Sequence, residues 1–201
     1  MSKQKGIVSL DLETLSSYDD TVILSVGLAF HPKSKIKSVD DIVSTNIKLD
    51  AKDQIVNYHR HMDKETSDWW KKQSPAAKEV LIPKETDIKL IDLKSKIDEF
   101  LTKNNIDGFG STWMDARVFD IPKIQYLYTR TFKEEWGGYL PFNKFDCMDY
   151  YTAFMILTGK RDCGIPDNTL DGIKHNSEYD ARLDLYRYLT TLDEYGIFEG
   201  E

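Results

Sequence analysis

Three runs of β-forming residues fall within the first 49 positions, and their spacing limits the chain to few folds. Ile7-Val-Ser-Leu-Asp-Leu-Glu13 reads as one strand, Val22 to Phe30 as a second and Ile42 to Leu49 as a third. Polar turns separate them, Ser16 to Asp20 and then His31 to Lys35. Connections this short join antiparallel neighbours, because a parallel pair needs a crossover of roughly a dozen residues or more. The expectation is a three-strand antiparallel meander.

From Asp63 the periodicity becomes helical. Asp63 is a candidate N-cap for a helix carrying Trp69 and Trp70, and Pro75 suits the first turn of a short helix after it. Asp87 to Lys103 places Ile88, Ile91, Leu93, Ile97, Phe100 and Leu101 at helical spacing. Asp107 to Gly110 reads as a short strand or strand end. Phe119 to Phe132, Cys147 to Leu157 and Tyr179 to Tyr195 read as helices, with Gly196 a C-terminal stop. Strands first, then helices alternating with short strands, predict an α/β fold. Its mixed central sheet would have antiparallel strands 1–3 plus parallel strands, flanked by helices. A chain of 201 residues has length for one domain spanning 1–201.

Composition removes several function classes. Hydrophobic residues at 40% and aromatic residues at 12% supply a core, which excludes whole-chain disorder. The most apolar stretch, Val22 to Phe30, is about half the length a membrane span needs. The polar N-terminus runs straight into a strand, unlike a signal peptide. Cys147 and Cys163 form no disulfide or metal-site pattern, so a reducing, cytoplasmic location is expected (host cytoplasm if phage-encoded). A net charge of -7 argues against a protein that coats nucleic acid through a broad basic face. It leaves room for an enzyme that draws a strand end into an acidic pocket, where bound cations supply positive charge.

The carboxylates carry the chemistry. Asp11 and Glu13 lie two apart on a strand, so they share one face while Leu10 and Leu12 face the other. Such a pair can share a hard divalent cation, or it can be an ordinary solvated turn entry. His175-Asn-Ser-Glu-Tyr-Asp180 enters the last helix. His175 and Asp180 can meet only if His175 lies in the loop and Asp180 in the first turn; Ser177 to Asp180 also fits a capping box. Asp120, in Val118-Phe119-Asp120, opens a helix and could simply serve its N-terminus, and Asp115 competes for the same role.

Taken in order, Asp-x-Glu on strand one, a mid-chain Asp and His-x4-Asp on the last helix resemble the DEDDh branch of the DnaQ-like 3′-5′ exonucleases, from about residue 6 to 195. The residues are Asp11 and Glu13 in Val8-Ser-Leu-Asp-Leu-Glu-Thr14, Asp120 in Ala116-Arg-Val-Phe-Asp-Ile121, and His175 with Asp180. Asn176, four before Asp180, disfavours the tyrosine branch, and Ser177 stands where the superfamily often has Ala. Thr66-Ser-Asp-Trp-Trp-Lys-Lys-Gln73 with Ser74-Pro-Ala-Ala77 is similar to a segment of phage DexA exonucleases and the ribonuclease AS group.

The resemblance implies a ribonuclease H-like fold and a two-metal-ion site for Mg2+ or Mn2+. Asp11, Glu13, Asp120 and Asp180 would be ligands, Asp11 shared by both ions, with His175 the general base. The substrate would be a single-stranded DNA or RNA 3′ end, DNA favoured, and the products nucleoside 5′-monophosphates. Leu12, Thr14, Trp69, Trp70, Gln73 and Phe119 flank the motifs as candidate substrate-binding residues. One Trp would form a wall for a terminal base and the other join the core, because helix neighbours point about 100° apart. Four adjacent carboxylates without metal would raise one another's pKa values. Lys33, Lys35 and Lys37, and the pair Lys71-Lys72, could touch the strand backbone or be solvated surface.

Two rivals differ in class. Asp11-Leu-Glu-Thr14 with Asp167 and Asp171 loosely imitates haloacid dehalogenase-type phosphatases, although the second carboxylate is Glu rather than Asp. A non-catalytic nucleic-acid-binding module could keep the same motifs as structure.

Overall fold

A computed structural model of the chain describes residues 2–160 and 170–198. Cys163 and Asp167 lie outside the described residues. The first three strands are β1 (Gly6–Thr14), β2 (Ile23–Pro32) and β3 (Val43–Lys48), and they pair as the expected antiparallel meander. Two further strands, β4 (Thr112–Asp115) and β5 (Cys147–Asp149), add in parallel, giving the order β3-β2-β1-β4-β5.

The helices are α1 (Ala51–Tyr58), α2 (Lys64–Lys71), α3 (Leu93–Lys103), α4 (Ile121–Tyr126), α5 (Tyr150–Thr158) and α6 (Ser177–Glu194). Strand alternation sorts β1 into two layers. Val8, Leu10 and Leu12 join the cluster that includes Leu93, Ile97, Phe100 and Ile124 of α3 and α4. Ile7 joins the opposite cluster, with Tyr150 and Phe154 of α5 and Leu185 and Leu189 of α6. Each such fully buried aliphatic or aromatic side chain contributes roughly 1.5–3 kcal/mol. Asp11 and Glu13 therefore face the α6 side.

Two features draw α6 onto this face. Gly27 is opposite Asp11 in β2, and a Cβ there would collide with the Ser177 carbonyl, so only glycine lets the helix start sit this low. Ser177, fully buried where Ala was the family habit, shares its hydroxyl with Ser25 Oγ (2.9 Å) and Asn46 Oδ1 (3.2 Å). The polar departure is thus fully satisfied.

Several boundaries differ from the sequence reading. Residues 107–110 form a turn, and the strand begins at Thr112. Asp107 accepts the Gly110 amide there (3.0 Å). Cys147–Asp149 is a strand, not the start of a helix, because Asp149 caps α5 by accepting the Tyr151 amide (3.0 Å). Ile88 bridges Leu49, which delays the helix of 87–103 until a 3-10 turn at Leu90–Asp92 and α3. Pro75 precedes the 3-10 turn Ala77–Leu81 rather than lying in it. The segment after α4 widens into a π turn, Leu127–Thr131.

Candidate active site

The parallel strands β1, β4 and β5 end at one sheet edge, where ligand sites of α/β sheets form. Asp11 and Glu13 reach it on β1. Glu13 is buried, and an oxygen of Asp11, Oδ2, is buried with no hydrogen-bond partner.

The start of α6 supplies the second wall. Asn176 is the N-cap, its side chain accepting the Tyr179 amide, so the alternative capping box does not form. His175 lies one residue before the cap with φ 64°, and its backbone N–H donates to Asp180 Oδ2 (2.8 Å). That left-handed turn lets a spacing of five fold back on itself. Ligand atoms of Glu13, His175 and Asp180 all lie within 4.8 Å of one another.

Asp120 completes the group from the β4–α4 loop. Asp120 is the residue the resemblance implies, with Asp115 its competitor, and their hydrogen bonds differ. Asp115 Oδ2 accepts the amides of Asp120 (2.8 Å) and Ile121 (2.9 Å), so it serves as the cap. Asp120 is 3% exposed, makes no capping bond, and leaves Oδ1 buried without a partner.

Electrostatics joins these residues into one cluster. Burial, then the charges of Asp120, Glu13, Asp180 and Asp184, hold the Asp11 carboxyl well above the usual carboxylate range. Burial and then Asp180 push Glu13 up to about 8. Asp120 is raised by burial and then by Asp115, while the Lys123 ammonium opposes the shift. Buried carboxylate oxygens without donors are a poor arrangement for the protein alone. Oxygens are the donors that a hard divalent cation prefers, so Asp11, Glu13, Asp120 and Asp180 fit a metal centre, with the His175 ring beside it.

The remaining candidates divide. Trp69 is 40% exposed and its ring meets the His175 ring edge-on, centroids 4.8 Å apart. Trp70 is 2% exposed and donates Nε1–H to the Thr14 carbonyl (2.9 Å). Phe119 stands half-exposed beside Asp120. Leu12 has its side chain in the core, and Thr14 turns its hydroxyl to the Ser16 carbonyl. Gln73 Nε2 donates to the Trp69 carbonyl (3.1 Å).

Lys33, Lys35 and Lys37 follow the end of β2 that pairs with Gly6, the sheet edge opposite the carboxylates, and Lys35 pairs with Asp193 (3.0 Å). Lys71 pairs with Asp68 (2.7 Å), whereas Lys72 lines a cavity with Trp69. Two residues escaped the sequence reading. Asp184, one turn beyond Asp180, adds its charge to Asp11 and Asp120, and the four-residue spacing was its available signal. Lys123 is buried at 1% exposure, and nothing in the sequence marks a surface-type residue for burial.

A ribonuclease H-like sheet with this acidic cluster and a histidine beside it defines the DEDD class of 3′-5′ exonucleases, as the resemblance implied. The chain belongs to the 3′-5′ exoribonuclease Rv2179c-like domain family, matched over residues 7–190. It is 29% identical over 195 residues to an exodeoxyribonuclease of Enterobacteria phage T4, covering 88% of this chain and 84% of that one.

Solved structures share the fold at low identity. S. pombe Pop2p with Mg2+ and Mn2+ bound aligns at TM-score 0.58 and 15% identity, covering 98% of this chain and 86% of Pop2p. E. coli ExoI, in a zinc-bound complex with single-stranded DNA, aligns at TM-score 0.51 and 13% identity over 98% of this chain and 41% of ExoI. Family membership displaces the phosphatase reading. No helix among the described residues is long and apolar enough to cross a membrane.

Proposed function

We propose that the chain removes nucleoside 5′-monophosphates one at a time from the 3′ end of single-stranded DNA, using two divalent ions, Mg2+ or Mn2+. Membership of a 3′-5′ exonuclease family establishes the reaction class. The observation that supports the site is the convergence of Glu13, His175 and Asp180 within 4.8 Å, beside the unpartnered oxygens of Asp11 and Asp120. DNA is favoured because the phage T4 exodeoxyribonuclease matches along most of both chains.

Divalent ions supply, when bound, an activated water and charge stabilisation at the leaving oxygen. Asp11, Glu13, Asp120 and Asp180 would hold them. His175 accepts the proton of the attacking water at a ring nitrogen, a task suited to an imidazole. The Asp180 carboxylate grips its main chain and the Trp69 ring lies against its imidazole, so the base is oriented from two sides. Trp69 presents its exposed part as a surface for the terminal base.

RNA is the second reading, supported by the family description, which names an exoribonuclease. One assay decides between them. End-labelled DNA and RNA oligonucleotides are incubated with Mn2+, Mg2+ or chelator. Shortening of DNA from the 3′ end, dependent on metal and faster than that of RNA, is the expected result. Faster RNA shortening reverses the sugar preference, and persistence of both strands with either metal overturns the assignment.

A further inference from the structure

The loop between β4 and α4 does more than deliver Asp120. Arg117 and Val118, two consecutive non-glycine residues, both take left-handed backbone angles, φ 67° and 55°. For a β-branched residue such as Val this is strained, and it persists only when the surroundings impose it. Two carboxylates impose it here. Asp149 Oδ1 accepts the Arg117 amide (2.8 Å), and Asp115 Oδ2 accepts the amides of Asp120 and Ile121.

The result is an ordered row of exposed groups leading away from Asp120. Phe119 comes first, its ring backed by the buried Lys123 ammonium 3.2 Å from the centroid, while Lys123 Nζ also donates to the Phe119 carbonyl (2.6 Å). Val118 follows, 59% exposed. Arg117 ends the row with its guanidinium 4.9 Å from the centroid of the Tyr151 ring. Arg117, Tyr151, Thr152 and Met155 line a cavity of about 370 Å³ beyond the carboxyl ends of β4 and β5. Among the described residues, no carboxylate forms an ion pair with this guanidinium.

We propose that the Arg117–Tyr151 cavity binds a phosphodiester of the substrate strand upstream of the scissile bond. The proposal rests on the nuclease reading above. A planar guanidinium matches phosphate oxygens in a forked geometry, and stacking on an aromatic face fixes its plane in advance. A single strand alternates phosphates with apolar bases, and the row alternates in kind: catalytic carboxylate, apolar Phe119 and Val118, then a cation. The acidic cluster repels a polyanion, so a cation placed just outside it gives an incoming strand a point of attachment.

The test measures binding and turnover separately. Binding of a 5′-fluorescein oligothymidylate is followed by anisotropy in chelator, across a potassium chloride series, for wild type, Arg117→Gln and Arg117→Lys. Turnover is measured on the same oligonucleotide and on the p-nitrophenyl ester of thymidine 5′-monophosphate, which has no upstream phosphate. Arg117→Gln should weaken oligonucleotide binding about tenfold, the scale of a lost charged hydrogen bond. It should also reduce the salt slope by about 0.7, the value for one phosphate contact on a single strand. Arg117→Lys should keep the slope and lose part of the affinity.

The loss in kcat/KM on the oligonucleotide should greatly exceed that on the ester. An unchanged salt slope in Arg117→Gln overturns the proposal. An equal loss on both substrates also overturns it, because that outcome assigns Arg117 to support of Asp120. If the wild type binds in an Arg117-dependent way but cleaves neither substrate, the nuclease reading fails and the phosphate site stands.

Discussion

Glu13→Gln tests the electrostatic state of the site directly. Glu13 is buried beside Asp180, and its carboxyl is pushed from an ordinary 4.5 to about 8. The folded chain therefore keeps a proton that the unfolded chain releases between those values. Stability is full below about pH 4.5 and falls as pH rises toward 8, the reverse of a salt-bridged carboxylate. At about 1.4 kcal/mol per pH unit, the penalty reaches roughly 3 kcal/mol at pH 7 and roughly 5 kcal/mol above pH 8. Glutamine has nearly the same shape and cannot ionise, so it removes the penalty. In chelator, thermal melts of the variant and wild type should coincide near pH 4.5 and separate steadily above it. At roughly 2–4 °C per kcal/mol for a chain of this size, the variant should melt about 6–12 °C higher at pH 7. Excess Mn2+ should reverse the order, because ionised Glu13 then gains a cation. A difference in melting temperature that stays flat from pH 5 to 8 in chelator would refute the reasoning.

Three further outcomes follow from the same geometry. Asp11→Ala and Asp180→Ala should each abolish turnover on labelled oligonucleotides while the circular dichroism spectrum stays native; residual nuclease activity in a purified variant would remove that residue from the site. His175→Ala should lower kcat by roughly 10²–10⁴, the range for a lost general base, with Mn2+ binding by calorimetry retained in part; an unchanged kcat would leave the acidic cluster and dismiss the histidine. The neighbouring tryptophans should separate cleanly. Trp70→Ala removes a buried side chain and should cost about 3–5 kcal/mol in denaturant unfolding, whereas Trp69→Ala should leave unfolding almost unaffected and weaken oligonucleotide binding by about 1–3 kcal/mol. Equal effects of the two on stability would contradict their different burial.

The meander was legible because its strands alternate cleanly and its turns are short and polar. The parallel strands were not. Cys147-Met148-Asp149 runs without a break into the apolar helix Tyr150–Thr158, and three residues carry no period of their own. Thr112–Asp115 is buried on both faces, so it shows no alternation, and the glycines before it drew the expected strand five positions too early. At the site, Asp11, Glu13, His175 and Asp180 could be named because their motifs, each weak alone, follow one another in the order of a known family. Spacing alone left Asp115 beside Asp120, since both lie near the same helix start, and the family resemblance pointed to Asp120. Which carboxylate receives the backbone amides is a property of the folded loop, and there it is Asp115. Lys123 and the Arg117–Tyr151 cavity depend on contacts across three elements and leave no local pattern.

A cluster of buried carboxylates opposes folding, and the surrounding layers explain how it survives. The sheet face opposite Asp11 and Glu13 is a continuous apolar layer, with Val8, Leu10 and Leu12 almost wholly excluded from water. The α6 side is fixed by Gly27, Ser25, Asn46 and Ser177, whose contacts involve no catalytic group. Separate residues thus hold the walls together while Asp11 and Asp120 each keep one oxygen without a hydrogen-bond partner. Lys123 provides a single buried positive charge near Asp120, enough to moderate that carboxyl without reaching across the whole cluster. The unmet demand for positive charge suits the site to a divalent cation. On the proposed function, the same residues that weaken the metal-free fold would be the source of its affinity for metal, since a ligand must lose its proton to bind.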